Sequence, residues 1–174
     1  MWRRIQVPPD YTLWDLHVAI QDSMGWEDRH LHAFRVVGSD AMYGIPDPDG
    51  LGPEEIVPDH EAPADSVFSP RSAVGTYEYD FGDGWVHIVI LESYEPSESG
   101  ARYPRCTDGA RCCPPEDSGG PHMYAEALLA RADPSHPDRS VFENSLSADF
   151  DPDAFDVQQV GFTDPKERWA RLFS

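Results

Sequence analysis

The sequence predicts an α+β domain: a small mixed or antiparallel sheet with one N-terminal amphipathic helix, followed by short C-terminal helices. Three observations predict it. A strand–helix–strand pattern opens the chain, a hairpin signal at Asp83-Gly84 separates two alternating segments, and the pattern turns helical from Pro121 onward. The order β-α-β, acidic connection, β-hairpin, then helices does not alternate as an α/β fold would. A length of 174 residues suits one domain over 1–174. Within it, 1–95 form the sheet-and-helix core with an acidic loop at 38–74, 96–121 a Cys/Pro/Gly loop, and 122–174 a helical part.

Arg3-Arg4-Ile5-Gln6-Val7 alternates and stops at Pro8-Pro9, as a short strand does. Thr12 then suits an N-cap, with Asp15 in the first turn at the positive end of the helix dipole. Leu13, Leu16, Ile20 and Met24 recur at helical spacing, and Gly25 supplies the stop. His30 to Val37 is the next strand. From Gly38 to Val74 the chain is rich in Pro, Asp and Gly, so it reads as a connection with little regular structure, anchored by Ile56-Val57 and Val67-Phe68. Beyond Pro121, a good first-turn residue, Tyr124, Ala127 and Leu128 share a helical face. Short helices follow from Pro137, around Asp153-Ala154-Phe155, and from Asp164-Pro165, the last burying Trp169, Leu172 and Phe173.

Asp83-Gly84 matches a two-residue type I′ turn, which needs positive φ at both positions. Folding about it sets Phe81 against Val86, Tyr79 against Ile88 and Tyr77 against Ile90 as an apolar face. The other face then carries Gly82 beside Trp85, Asp80 beside His87 and Glu78 beside Val89. Burial of one face specifies a register, because a slip by one residue moves every side chain across the sheet.

The charge constrains function. The formal net charge is −19, from 13 basic and 32 acidic residues. Between Val36 and Ala101 only Arg71 is basic, against fourteen Asp and Glu. Nucleic acids are bound through Lys and Arg that displace counterions, so direct DNA binding is disfavoured. A solvated acidic surface and a basic protein partner are the two readings of that charge. No apolar run reaches the ~20 residues of a membrane helix, and no apolar segment of a secretory signal follows Met1. The expected compartment is the cytoplasm, with no membrane partner.

Several ordered motifs resemble one family. They are Trp2-Arg3-Arg4-Ile5-Gln6-Val7-Pro8, Leu13-Trp14-Asp15-Leu16-His17, Met24-Gly25-Trp26, His30-Leu31-His32-Ala33-Phe34, Tyr79 to His87, Pro114 to Gly120, and Phe150 to Asp156. Together they are similar to the plasmid pRiA4b ORF-three-like family, also met as a passenger protein of insertion elements. The resemblance covers nearly the whole chain and implies a compact α+β domain with an accessory role on mobile elements. Members of the family usually carry a further strand ahead of the Trp-Arg-Arg segment, where this sequence has Met1.

Four constellations carry candidate chemistry. Asp80 and His87 form a carboxylate–imidazole pair, which serves sheet stability at about 0.2–1 kcal/mol, a binding surface with Trp85, or tautomer control in catalysis. His30 and His32 project to one strand face at a spacing common in metal sites, or pack over a core edge beside Phe34 and Val36. Cys106, Cys112 and Cys113, with His122, are a poor match to zinc spacing and read more simply as reduced thiols. Glu116 and Asp117 precede Gly119-Gly120, where acids cap a turn, pair with arginines or hold a cation.

The favoured reading is a non-enzymatic interaction module that binds a protein, a basic one above others, through Asp80, Trp85, His87, Glu116 and Asp117, with no cofactor expected. The alternative is a metal-dependent hydrolase-like enzyme. Its ligands would come from His30, His32, His87 and the acidic loop, with Cys106, Cys112, Cys113 and His122 as zinc candidates.

Overall fold

A computed structural model of the chain describes residues 1–46, 56–142 and 144–172. Strand β1 (Trp2–Gln6) is followed by helix α1 (Leu13–Met24). The Thr12 hydroxyl accepts the Asp15 N–H while the Asp15 carboxylate accepts the Thr12 N–H, a closed capping box. Gly25 ends the helix in the left-handed region with φ 83°.

The main sheet has five strands in the order β4-β3-β2-β5-β6, from β2 (His32–Val36), β3 (Met42–Gly44), β4 (Ile56–Pro58), β5 (Val74–Tyr79) and β6 (Trp85–Ile90). Its β3–β4 pair is parallel and the rest are antiparallel, so the sheet is mixed. β1 lies outside it. It pairs antiparallel with β7 (Arg105–Ala110), a strand inside the segment expected to be a Cys/Pro/Gly loop. Arg3 ties this ribbon to the end of α1: its Nε donates to the Ser23 carbonyl, where the helix dipole favours a cation, and its guanidinium lies 4.0 Å from the Phe155 ring centre.

The acidic connection is more ordered than its composition suggests. β3, β4, a 3-10 turn (Asp59–Glu61) and a short helix α2 (Ala64–Val67) occupy its described part, while residues 47–55 lie outside the described residues. Buried Met42, Ala62 and Phe68 explain the order, because a few apolar anchors suffice to hold a polar segment against a sheet.

Helix α3 (Gly120–Ala132) buries Tyr124, Ala127 and Ala130, and α4 (Arg139–Phe142) and α5 (Pro165–Leu172) complete the helical part. Asp153-Ala154-Phe155 forms a turn rather than a helix, with the Asp151 carboxylate accepting the Asp153 N–H; a 3-10 turn at Val157–Gln159 follows. On α5, Trp169 packs edge-on against Trp14 at 5.0 Å, Leu172 is exposed, and Phe173 lies outside the described residues. The core sits between α1 and the sheet, with Leu13, Leu16, Phe34, Tyr77, Tyr79, Trp26 and Trp85 in one cluster. No helix among the described residues is long and apolar enough to cross a membrane.

Candidate functional site

The hairpin decides where the expected site residues go, and its register differs from the expected one. Tyr79 faces Trp85, Tyr77 faces His87, Glu78 faces Val86 and Thr76 faces Ile88. The connection is the five-residue loop Asp80–Gly84 rather than a two-residue turn. Asp80 makes it: at φ 53° its Oδ1 accepts the Gly82 and Asp83 N–H groups at 3.0 and 3.2 Å, and its carbonyl accepts the Gly84 N–H. Because Tyr79 meets Trp85, an odd number of positions from the expected Ile88, the faces of β6 exchange. Trp85 and His87 turn inward, and Val86, Ile88 and Ile90 turn outward.

The Asp80–His87 pair therefore does not form. His87 stands edge-on to Trp26 at 5.3 Å, its Nδ1 is buried without a hydrogen bond, and burial holds its pKa below the ordinary value. Trp85 is buried among Trp26 and Tyr124. The recognition surface proposed from Trp85 and His87 is thus core, because a Trp buries more apolar area inward than the aliphatic side chain the expected register would place there.

Asp80, Glu116 and Asp117 do come together. The Pro114–Gly120 loop lies against the hairpin loop, with the Gly119 N–H donating to Asp83 Oδ2 at 2.9 Å. Glu116 accepts the Tyr79 hydroxyl and the Glu27 N–H at 2.9 and 2.7 Å, and the Trp26 indole N–H donates to the Pro114 carbonyl. Asp117, exposed at the tip, meets His30 Nε2 at 2.8 Å and Arg29 at 3.5 Å. His30 Nε2 also lies 3.5 Å from Asp80 Oδ2.

The two strand histidines part company. His30 precedes β2 and sits at this surface, whereas His32 faces the core, 2.8 Å from Asp59 Oδ2. Among the described residues, His30, Asp80 and Asp117 are the one group of three such donors whose ligand atoms lie within 4.8 Å of one another. His32, His87, His122 and the cysteines join no such group, so the ligand sets built on them are not assembled. Cys106, Cys112 and Cys113 are free thiols, and burial pushes Cys113 up to about 12. Cys106 lies on β7 opposite Ile5, and Cys112-Cys113 follow Arg111, whose φ of 70° turns the chain away from that strand.

A second, buried constellation escaped the sequence reading. His17 and Gln21 on α1 are fully buried, and the His17 and His32 rings stack at 3.5 Å and 9°. Gln21 Nε2 donates to the Tyr77 hydroxyl at 2.8 Å, that hydroxyl donates to His17 Nδ1 at 2.9 Å, and His17 Nε2 donates to Asp28 Oδ1 at 2.9 Å. The ring closes with the Asp28 N–H donating to Gln21 Oε1. Both ring nitrogens of His17 are engaged, so this imidazole has none left for proton transfer to a ligand; the network organises the core. Its one sequence signal was Leu13-His17-Gln21 at four-residue spacing, a polar pair continuing an apolar helix stripe. Arg168 of α5 pairs with Asp22 and reaches within 3.8 Å of Asp28, covering one end.

Burial and the stacked His32 hold His17 down at about 4, against 6.5 for the ordinary side chain. The unfolded chain therefore takes up a proton that the folded chain refuses once pH falls below about 6.5. Stability from this group is complete above pH 6.5 and is lost as pH falls toward 4. Urea unfolding at pH 7.5 and 5.0 should show a loss of about 2 kcal/mol from His17, with His87 adding in the same direction. A flat profile over that interval would show that His17 is protonated in the fold.

Residues 1–159 match the family model described as plasmid pRiA4b ORF-3-like protein. The chain belongs to that family. Another relative is protein y4hQ of Sinorhizobium fredii (strain NBRC 101917 / NGR234), 36% identical over 97% of this chain and 87% of that protein. The family fold is also that of a crystal structure, the protein of unknown function MM3350 from Methanosarcina mazei Go1, which is similar to this chain with a TM-score of 0.82. That structure is 41% identical, over 92% of this chain and 89% of its own. Neither relative's name assigns an activity to the family, so function rests on the surfaces described above.

Proposed function

We propose that the chain is a non-enzymatic protein-interaction module that receives a basic protein partner on the outer face and edge of β6. The observation that carries this reading is a row of three β-branched side chains, Val86, Ile88 and Ile90, exposed at 59, 72 and 60% on the strand that ends the sheet. Exposed aliphatic rows on a sheet edge are avoided in chains that stay alone, because the unpaired backbone invites another strand. A partner strand added there gains main-chain hydrogen bonds and covers the row. Glu78 flanks it opposite Val86, and a charge of −19 on each copy opposes self-pairing while attracting a cationic partner. Free thiols at all three cysteines suit a reducing cytoplasm. The hydrolase alternative gathers His30, His32, His87 and the acidic loop around one ion. His30 meets Asp117 of the loop, but His32 pairs with Asp59 and His87 packs against Trp26, so the three histidines are not brought together.

A photo-crosslinking residue at position 88 tests the reading. In host cells it should capture one basic protein, which the same residue at exposed Ala125 on α3 does not capture. Ile88→Lys should weaken binding of that partner at least tenfold while changing stability by less than about 0.5 kcal/mol, as exposed substitutions do. Capture of a second copy, or equal capture at both positions, would overturn it.

A further inference from the structure

We infer that His30, Asp80 and Asp117 form a site for a divalent transition-metal ion of the zinc class, independent of the β6 surface. Three separate segments deliver the donors: the residue pair before β2, the β5–β6 loop, and the Pro114–Gly120 loop. His30 Nε2 stands 2.8 Å from Asp117 Oδ1 and 3.5 Å from Asp80 Oδ2, and all three ligand atoms lie within 4.8 Å of one another. Donors bound at ~2.1 Å and separated by tetrahedral or octahedral angles stand ~3.0–3.4 Å apart, a spacing the two measured separations bracket.

The second observation is Asp80 itself. Its side chain is only 10% exposed, and its Oδ1 is taken by the Gly82 and Asp83 N–H groups. Oδ2 accepts no hydrogen bond among the described residues and points at the imidazole. A neutral His30 has a single N–H at most for this side of its ring, and Asp117 at 2.8 Å takes it. With no N–H of the described residues bonded to Oδ2 and the imidazole 3.5 Å away, a cation shared by the three groups would meet both carboxylates at once.

The frame around the donors is fixed. Glu116 bonded to Tyr79 and Gly119 bonded to Asp83 hold the two loops together, and Arg29 lies 3.5 Å from the second oxygen of Asp117. An imidazole among the donors selects a transition ion over magnesium or calcium, which prefer oxygen ligands alone. Exposed Asp117 leaves the outer coordination positions toward solvent.

Calorimetric titration of tag-free chain with zinc chloride at pH 7.5 is the test. One equivalent should bind, and zinc should raise the melting temperature. Asp117→Asn, at an exposed position, and His30→Gln should each weaken binding at least tenfold and abolish that shift, with millimolar magnesium failing to compete. Cobalt(II) should bind without a thiolate charge-transfer band. Absence of saturable one-to-one binding, unchanged affinity in Asp117→Asn, or a thiolate band would overturn the site.

Discussion

Replacing Tyr77 with phenylalanine is expected to lower the unfolding free energy by about 2–5 kcal/mol, although it removes a single oxygen atom. That oxygen donates to His17 Nδ1 and accepts from Gln21 Nε2, and all three side chains are fully buried. Its loss leaves an imidazole nitrogen and an amide N–H facing apolar surroundings, at about 1–3 kcal/mol for each unsatisfied group. Burial also drives the Tyr77 phenol well above its ordinary pKa, so the hydroxyl keeps the proton that the ring of bonds requires. Urea unfolding of Tyr77→Phe checks this, with Tyr94→Phe as comparison. Tyr94 is exposed, and its loss of a bond to the Phe68 carbonyl should cost no more than about 0.5 kcal/mol because water replaces it. Equal effects at both positions would mean that the buried ring of hydrogen bonds contributes nothing beyond a surface bond.

Gly120→Ala should be as damaging, and for a steric reason. Gly120 has φ 77°, and a Cβ there would lie 2.2 Å from the Asp83 carbonyl oxygen and 3.1 Å from its carbon. Those atoms belong to the backbone of the hairpin loop, so no side-chain rotation relieves the clash. Left-handed strain and overpacking together amount to about 2–5 kcal/mol. Gly25→Ala separates the two terms: φ is 83° there, yet nothing lies within 4 Å of the added carbon, so the cost should be only about 1 kcal/mol. Hydrogen exchange at the Gly119 N–H, which bonds to Asp83, would report whether the Pro114–Gly120 loop has lifted off the hairpin in Gly120→Ala. Slow exchange with an unchanged melt would remove the close approach as a determinant of the fold.

Local pattern made much of the architecture legible. The Thr12–Asp15 box and Gly25 bound α1 as expected, the two halves of the hairpin form strands, and Pro121 opens α3. The ordered motifs also pointed to the family. The register of the hairpin was not legible, because both β6 faces carry apolar residues. Val86, Ile88 and Ile90 alternate with Trp85, His87 and Val89, and either set can cover Tyr77 and Tyr79. Trp26 after α1 and Tyr124 on α3 supply the packing that favours Trp85 inward, and neither is near it in the chain. The β1–β7 pairing was hidden for the same reason, since its partners lie about a hundred residues apart and each alone is an unremarkable polar-apolar segment.

By itself the sequence determined helices α1, α3 and α5, strands β1, β2, β5 and β6, the net charge and the family, since these follow from spacing, capping and composition within short windows. Tertiary packing decided which face of β6 meets solvent and which acids meet His30. The contact of His30 with Asp117 spans 87 positions and depends on Gly120 fitting against Asp83, a close approach that no periodicity encodes. Burial energy is shared among distant side chains, so it selects a register and a site only once all of them are in place.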